Sequence, residues 1–235
     1  MSIATEIARI DGAKADIKSA VASKGINIPN NALINEYASY IGAIPTHETE
    51  VRQLIEKSMT SFIVPDGTTS IQVYMFSQCY NLLSITIPNT VTRIYASAFS
   101  RSSSLDNVVI PNSVTDMGSS VFYMCSGLTN IKLSDNQPVC ESYQFQKCTS
   151  LAHITLPASI YRLRTQVFDG CTSLEWIELK SITPPTIVAD TFSGLPNDTI
   201  IYVPDGSVNA YKSATNWINE AGRIHSINEL NNANI

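Results

Sequence analysis

The sequence predicts an α/β solenoid, a stack of 23-residue turns with one parallel β-sheet face, preceded by a helical N-terminal module. Three observations carry this. Phe76, Phe99, Phe122, Phe145 and Phe168 stand 23 residues apart, with Phe192 one residue late. In step with them run Leu82, Leu105, Leu128, Leu151 and Leu174, six after each Phe, and Ile85, Val108, Ile131, Ile154, Ile177 and Ile201, nine after it. Finally, the period is absent from the first 45 residues, where helical spacing replaces it. A fixed period in the twenties marks stacked repeats that bury their apolar faces only against neighbours.

The first element spans residues 1–45. Ile3, Ile7, Ile10, Lys14, Ile17 and Val21 are spaced 4, 3, 4, 3 and 4 apart, a heptad seam with one charged interruption. Ser2 caps the start and Gly25 closes the end, so residues 3–23 are expected to be helical. The seam allows two arrangements. It packs on a second short helix around residues 32–41, carrying Leu33, Ile34, Tyr37 and Ile41, or it joins copies of the chain into a homo-oligomer, a trimer by its isoleucine content. Residues 46–58 form a capping helix and linker, with Val51, Leu54 and Ile55 on one face, covering the open end of the stack.

Residues 59–204 are the solenoid. Two residues beyond the Ile column stand Ile87, Ile110, Leu133, Leu156, Leu179 and Val203, so each unit contains I-x-I, the alternation of one short strand per turn. Pro65, Pro88, Pro111, Pro157 and Pro204 end most of these strands, since proline removes a donor and fixes φ. The unit reads F-x2-C-x2-L-x2-I-x-I-P-x2-V-x2-I-x4-F. Stacked in register, neighbouring strands pair in parallel at roughly 4.8 Å per turn. These residues resemble the bacterial leucine-rich repeats of the BspA type. The resemblance implies a right-handed leucine-rich-repeat solenoid, usual in surface or secreted proteins that bind other macromolecules, with no catalytic residues to carry over. Ser102 stands where the pattern has Cys, the unit around Asp135 lacks its proline, and the unit at Thr183 to Thr186 is one residue longer.

Residues 205–235 are similar to that family's C-terminal cap, with Ser207 heading a short helix and Tyr211, Trp217 and Ile224 as lids on the last turn. The N-terminal string IARIDGAKADIKSAVASKGINIPNNALINEYASYIGAI resembles the short modules of phage and prophage tail-associated proteins, chiefly in AVASKGINIP and YASYIGAI. That resemblance implies a part attaching a binding domain to a tail structure, delivered without a signal peptide.

Charge and composition exclude several classes. The 235 residues carry a net charge of −5 and no basic run, which argues against nucleic acid and anionic membrane. No apolar stretch reaches the roughly 20 residues of a membrane span, and charged residues occupy the place of a signal-peptide core. Cys79, Cys125, Cys148 and Cys171 sit three after Phe and Cys140 in another inward column, so all five are expected to be buried. They read as inert thiols, although adjacent turns also bring such residues within disulfide reach. His47, His153 and His225 are scattered, and no G-x-S-x-G or P-loop exists; no enzyme, metal or cofactor is expected. Asp135 and Glu141 read as solvated loop charges.

Function is then expected on the exposed strand face, eight and ten residues after each Phe. It runs from Ser84, Asn107 and Asn130 to His153 and Trp176, beside Thr86, Val109, Lys132, Thr155, Glu178 and Tyr202. The richest candidates are Asn130, Lys132, His153, Trp176, Glu178 and Tyr202, whose Trp and Tyr are hot-spot types. The blander reading is that Trp176 merely covers neighbouring backbone or the cap. Tyr95, Tyr123, Tyr143 and Tyr161 form a second, diffuse set on the return side. Two roles follow: a tail-associated virion protein recognising a host-surface protein or glycan, or an extracellular bacterial-surface adhesin. If the seam of Ile3, Ile7, Ile10, Ile17 and Val21 self-associates, light scattering of the full-length chain gives an oligomeric mass; a strictly monomeric mass removes that arrangement.

Overall fold

The computed structural model describes residues 60–233. The expected helices over 3–23, 32–41 and 47–58, and with them Ile3, Ile7, Ile10, Ile17 and Val21, lie outside the described residues.

The I-x-I segments form a wide ladder. Numbered along the chain, it comprises β1 (Ser61–Ile63), β3 (Ser84–Thr86), β5 (Asn107–Val109), β7 (Asn130–Lys132), β9 (His153–Leu156), β11 (Trp176–Leu179) and β12 (Ile200–Val203). Pairing is parallel and advances one repeat per strand, as in Phe62 with Ile85 and Ile177 with Ile154. The expectation of one strand per turn is corrected: a narrow second ladder is present. Its members are the two-residue strands β2 (Ser70–Ile71), β4 (Arg93–Ile94), β6 (Asp116–Met117), β8 (Val139–Cys140) and β10 (Arg162–Leu163). Two residues are too few to leave an alternating pattern, which is why one inward residue per turn was all that the sequence displayed.

The return side is built from tight turns rather than helices. Phe76, Phe99, Phe122 and Phe145 donate their N–H groups to carbonyls of the next turn at 2.7–3.0 Å. To place these donors, the residues two before and two after Phe turn left-handed, among them Tyr74, Gln78, Ser97, Arg101, Ser120 and Tyr143. Inside, the phenylalanine rings stack 5.4–5.8 Å apart over the first five turns, tilted by at most 9°. The cysteine column is buried and forms no disulfide among the described residues. Cys125, Cys148 and Cys171 donate to the carbonyls of Phe99, Phe122 and Phe145 one turn back, at 3.0–3.2 Å. Ser102 donates likewise to the Phe76 carbonyl at 2.6 Å. The Cys-to-Ser departure thus preserves the slot's hydrogen bond.

The turn that lacks the proline departs further from the repeat. In the wide ladder β1, β3, β5 and β7 form one sheet and β9, β11 and β12 belong to another; in the narrow ladder β2, β4 and β6 are separate from β8 and β10. The fourth turn therefore pairs backward through β7 and forward through β8, and the break is staggered. Two residues explain the narrow-ladder part. Thr92, Thr115 and Tyr161 donate to the preceding turn at 2.9–3.1 Å, but Pro138 occupies that slot and has no N–H. Three residues on, Tyr95, Gly118 and Arg164 donate back at 2.8–3.0 Å, whereas the Glu141 N–H is diverted to Gln144 Oε1 at 3.0 Å. Side chains stitch the turn instead: the Asp135 N–H donates to Asn112 Oδ1 at 2.9 Å, and Asn136 Nδ2 to the Asn112 carbonyl at 2.8 Å.

Gln137 stands in a core column of Val and Ile and Gln144 in one of Val and Ala, and they are 1% and 0% exposed. Gln137 Nε2 donates to the Val139 carbonyl at 2.9 Å and to Gln144 Oε1 at 3.4 Å. Gln137 Oε1 and Gln144 Nε2 have no partner.

After β12 the chain caps the stack with α1 (Val208–Ser213), a 3-10 segment (Trp217–Arg223), β13 (Ile224–Ser226) and α2 (Ile227–Ala233). Tyr211, Trp217 and Ile224 are buried, as expected of lids. Trp217 lies 5.3 Å from the Phe192 ring and 5.0 Å from Tyr211, both ring-centroid distances. Tyr211 Oη donates to the Ser181 carbonyl at 2.8 Å and Trp217 Nε1 to the Pro185 carbonyl at 2.7 Å, so the lids hold the longer unit. β13 joins β12 and extends the wide ladder by one strand.

Two outcomes are expected. Gln144→Val strands the Glu141 N–H and should lower stability by about 1–3 kcal/mol, read as a lower unfolding temperature, whereas Gln137→Val, which removes an unpaired buried oxygen and leaves the Glu141–Gln144 bond in place, should cost less. Burial pushes the Cys125 and Cys171 thiols up to about 12 and Cys140 and Cys148 well above their ordinary value. A thiol raised in the folded state stabilises fully below its free value of 9.0, and that contribution is lost as pH climbs toward about 12. Stability should therefore fall through this alkaline window, and a thiol reagent should modify none of the five cysteines in native protein at about pH 8 but all of them in denaturant.

Candidate binding face

Alternation along the wide ladder turns one side chain in two away from the core, and register then sets which of these meet. His153 pairs with Trp176 and Ile200 in one row; Thr155, Glu178, Tyr202 and His225 form the adjacent row. The His153 and Trp176 rings stack at 4.7 Å with a 12° tilt, and Trp176 meets Tyr202 edge-on at 6.4 Å. Glu178 Oε2 accepts a hydrogen bond from the Thr155 hydroxyl at 2.8 Å.

Of the six nominated residues, Asn130, Lys132 and His153 are exposed, while Trp176 and Glu178 are partly buried. The expectation that Tyr202 is exposed is corrected: it is 8% exposed. The cause is β13, which sets His225 beside it, while Trp176 abuts its other side. Tyr202 is a wall that orients Trp176 rather than a contact surface. One edge of Trp176 rests on Tyr202 of β12, and its other side carries His153 on the open face.

Asn130 and Lys132 stand across the sheet break from His153. β7 and β9 are neighbours without ladder pairing, and a cleft of about 270 Å³ lies between them. Asn130, Lys132, His153 and Thr155 line it together with Asp135 and Lys180. Sequence reasoning missed Asp135 and Lys180, which follow the strands instead of lying within them. The serine at position 134, in the proline slot, was the available signal. Asp135 is exposed, as expected of a loop charge, yet bound to Asn112; Glu141 pairs with Arg164 at 2.9 Å. His225 Nδ1 lies 2.8 Å from Glu229 Oε2, and this contact, with the Ser226 N–H, lowers the Glu229 carboxyl below its ordinary value. Among the described residues no group of three or more His, Cys, Asp or Glu is placed to hold a metal ion.

The repeat, its stacked columns and its cap match one family description: the sequence fits the BspA type leucine rich repeat region, in six copies, over residues 53–175 and 139–232. The chain belongs to the BspA-type leucine-rich repeat family. No curated protein matches it. The leucine-rich repeat protein of T. pallidum shares its fold at a TM-score of 0.52 and 21% identity, over 73% of this chain and 74% of that one. It is also similar to a leucine-rich repeat protein from Eubacterium ventriosum (TM-score 0.48, 23% identity, 58% of this chain) and to a leucine rich cell surface protein from Faecalibacterium prausnitzii (0.43, 19%, 68%). The chain spans 43% and 63% of the length of those two. The family match indicates no enzymatic family. No helix among the described residues is long and apolar enough to cross a membrane.

Proposed function

We propose that this BspA-type chain is a non-catalytic, adhesin-like recognition protein that binds a macromolecular surface ligand, protein or glycan, on the strand face from β7 to β11. The observation that carries this is the His153–Trp176 stack standing at the edge of a charged cleft. A stacked aromatic pair braced from behind by Tyr202 offers rigid contact area at little entropic cost, and Lys132, Lys180 and Asp135 beside it supply polar selectivity. The stack itself supplies an extended, regularly spaced surface on which a large ligand is read turn by turn.

The finer reading places this module on a phage or prophage tail, with residues 7–44 as the attachment segment and a host-surface protein or glycan as the ligand. It rests on the AVASKGINIP and YASYIGAI resemblance alone. An adhesin on the bacterial surface is the second reading, favoured by the family match across the repeats.

The test is binding of fluorescently labelled full-length protein to a panel of intact bacterial cells. His153→Ala/Trp176→Ala should weaken binding by about 2 kcal/mol or more, with the unfolding midpoint little changed. Unchanged binding by the double variant overturns the strand face as the recognition surface.

A further inference from the structure

The return side carries a larger depression than the strand face does, a trough of about 580 Å³ running along the stack axis. Its long dimension follows the slot two before Phe, where Tyr74, Ser97, Ser120 and Tyr143 succeed one another. Two tyrosines thus stand about 15 Å apart, the reach of roughly three pyranose rings, with a floor of serines between them. Arg101 and Tyr123 line the middle.

Two observations bear on what this trough can hold. Six of its residues, Tyr74, Gln78, Ser97, Arg101, Ser120 and Tyr143, are non-glycine residues with φ between 57° and 64°. That conformation is costly for an L residue and free for glycine. In the slot two after Phe the order is Gln78, Arg101, Met124, Lys147, Gly170 and Gly194, so glycine takes over where the trough has ended. The same conformation falls on Met124, Lys147 and Gln166 outside the trough, so it belongs to the repeat's backbone; within the trough it carries the Tyr74, Gln78, Ser97, Arg101, Ser120 and Tyr143 side chains. The second observation concerns charge. Arg93, Arg164 and Arg223 are ion-paired, whereas the exposed Arg101 guanidinium has no ion pair among the described residues, and the Ser97 and Ser120 hydroxyls make no hydrogen bond there.

We infer that this trough binds an acidic oligosaccharide of roughly three sugar units, laid along the stack. Tyrosine faces pack on the C–H faces of pyranose rings, serine hydroxyls and the Gln78 amide exchange hydrogen bonds with ring hydroxyls, and the Arg101 fork takes a carboxylate in bidentate fashion. An extended peptide fits less well. It would need free main-chain donors, but the N–H groups of Phe76, Gln78 and Arg101 are already given to the next turn at 2.7–2.8 Å.

The test titrates the full-length protein by calorimetry with 3′-sialyllactose, trigalacturonate, neutral cellotriose and triglutamate. At least one acidic trisaccharide should saturate with a Kd on the order of 10–500 μM, and cellotriose should bind roughly tenfold or more weaker. Arg101→Gln, which installs the residue that the same slot already holds at Gln78, should abolish the preference for the acidic sugar; Tyr143→Ala should weaken both sugars. Trp176→Ala should leave all affinities unchanged, which separates this trough from the strand face. The inference is overturned if neither acidic trisaccharide saturates below ~10 mM, if triglutamate binds as tightly, or if Arg101→Gln changes nothing.

Discussion

Every part of this fold depends on one constraint: each turn must present its hydrogen-bonding groups to the same slots of the turns before and after it. The constraint acts on three sides at once. The wide ladder pairs strand to strand, the narrow ladder pairs two residues at a time, and the Phe turn donates three N–H groups forward, as Phe76 does to Ala98 and Gln78 to Ser100. Because the pairing is parallel and in register, like stacks on like. The phenylalanine column and the thiol-to-carbonyl column are consequences of the backbone register, and a residue type that satisfies the bond, such as Ser102, substitutes without disturbing it.

The same logic explains how the stack tolerates a fault. Stability in a solenoid is a sum over neighbouring interfaces, so weakening one leaves the others intact. At the fourth turn Pro138 removes one inter-turn donor and Gln144 diverts another, and two buried glutamine atoms are left unpaired. The interface with the third turn lacks β6–β8 pairing and the interface with the fifth lacks β7–β9 pairing, yet the Phe-side bonds across both persist, from Phe122 to Gln144 and from Phe145 to Val167. What the fault yields is a cleft between two strands that would otherwise be sealed together. The cleft proposed for binding and a weak interface are here the same feature.

How far the sequence could be read follows from this. Columns fixed by packing were legible: the ladder strands, the inward cysteines, and Tyr211, Trp217 and Ile224 as lids. Features fixed by hydrogen bonding alone were not. The two-residue strands carry no period, and left-handed tyrosine, serine and arginine look like ordinary surface residues because the geometry that demands them is set by the neighbouring turn. Gln137 and Gln144 drew no reading from the sequence, although their slots in other turns hold Val114, Ile160, Val121 and Val167, and column position was the available guide. Tyr202 failed for a different reason. It obeys strand alternation, but β13 arrives from the cap, where no repeat forecasts another strand.

The position of β13 also decides which way the strand face opens. By pairing with β12 it sets His225 beside Tyr202, so the aromatic group is closed at its C-terminal end. Tyr202 meets Trp176 edge-on while His153 lies flat on its other side, and beyond His153 comes the break rather than another paired strand. The stack of rings therefore faces the cleft of Lys132, Asp135 and Lys180 and has no other free end. Two departures from the repeat, one in the fourth turn and one in the cap, thus bound a single stretch of sheet. A ligand that engages Trp176 must approach over His153, and in doing so it meets the charges that the fault exposes.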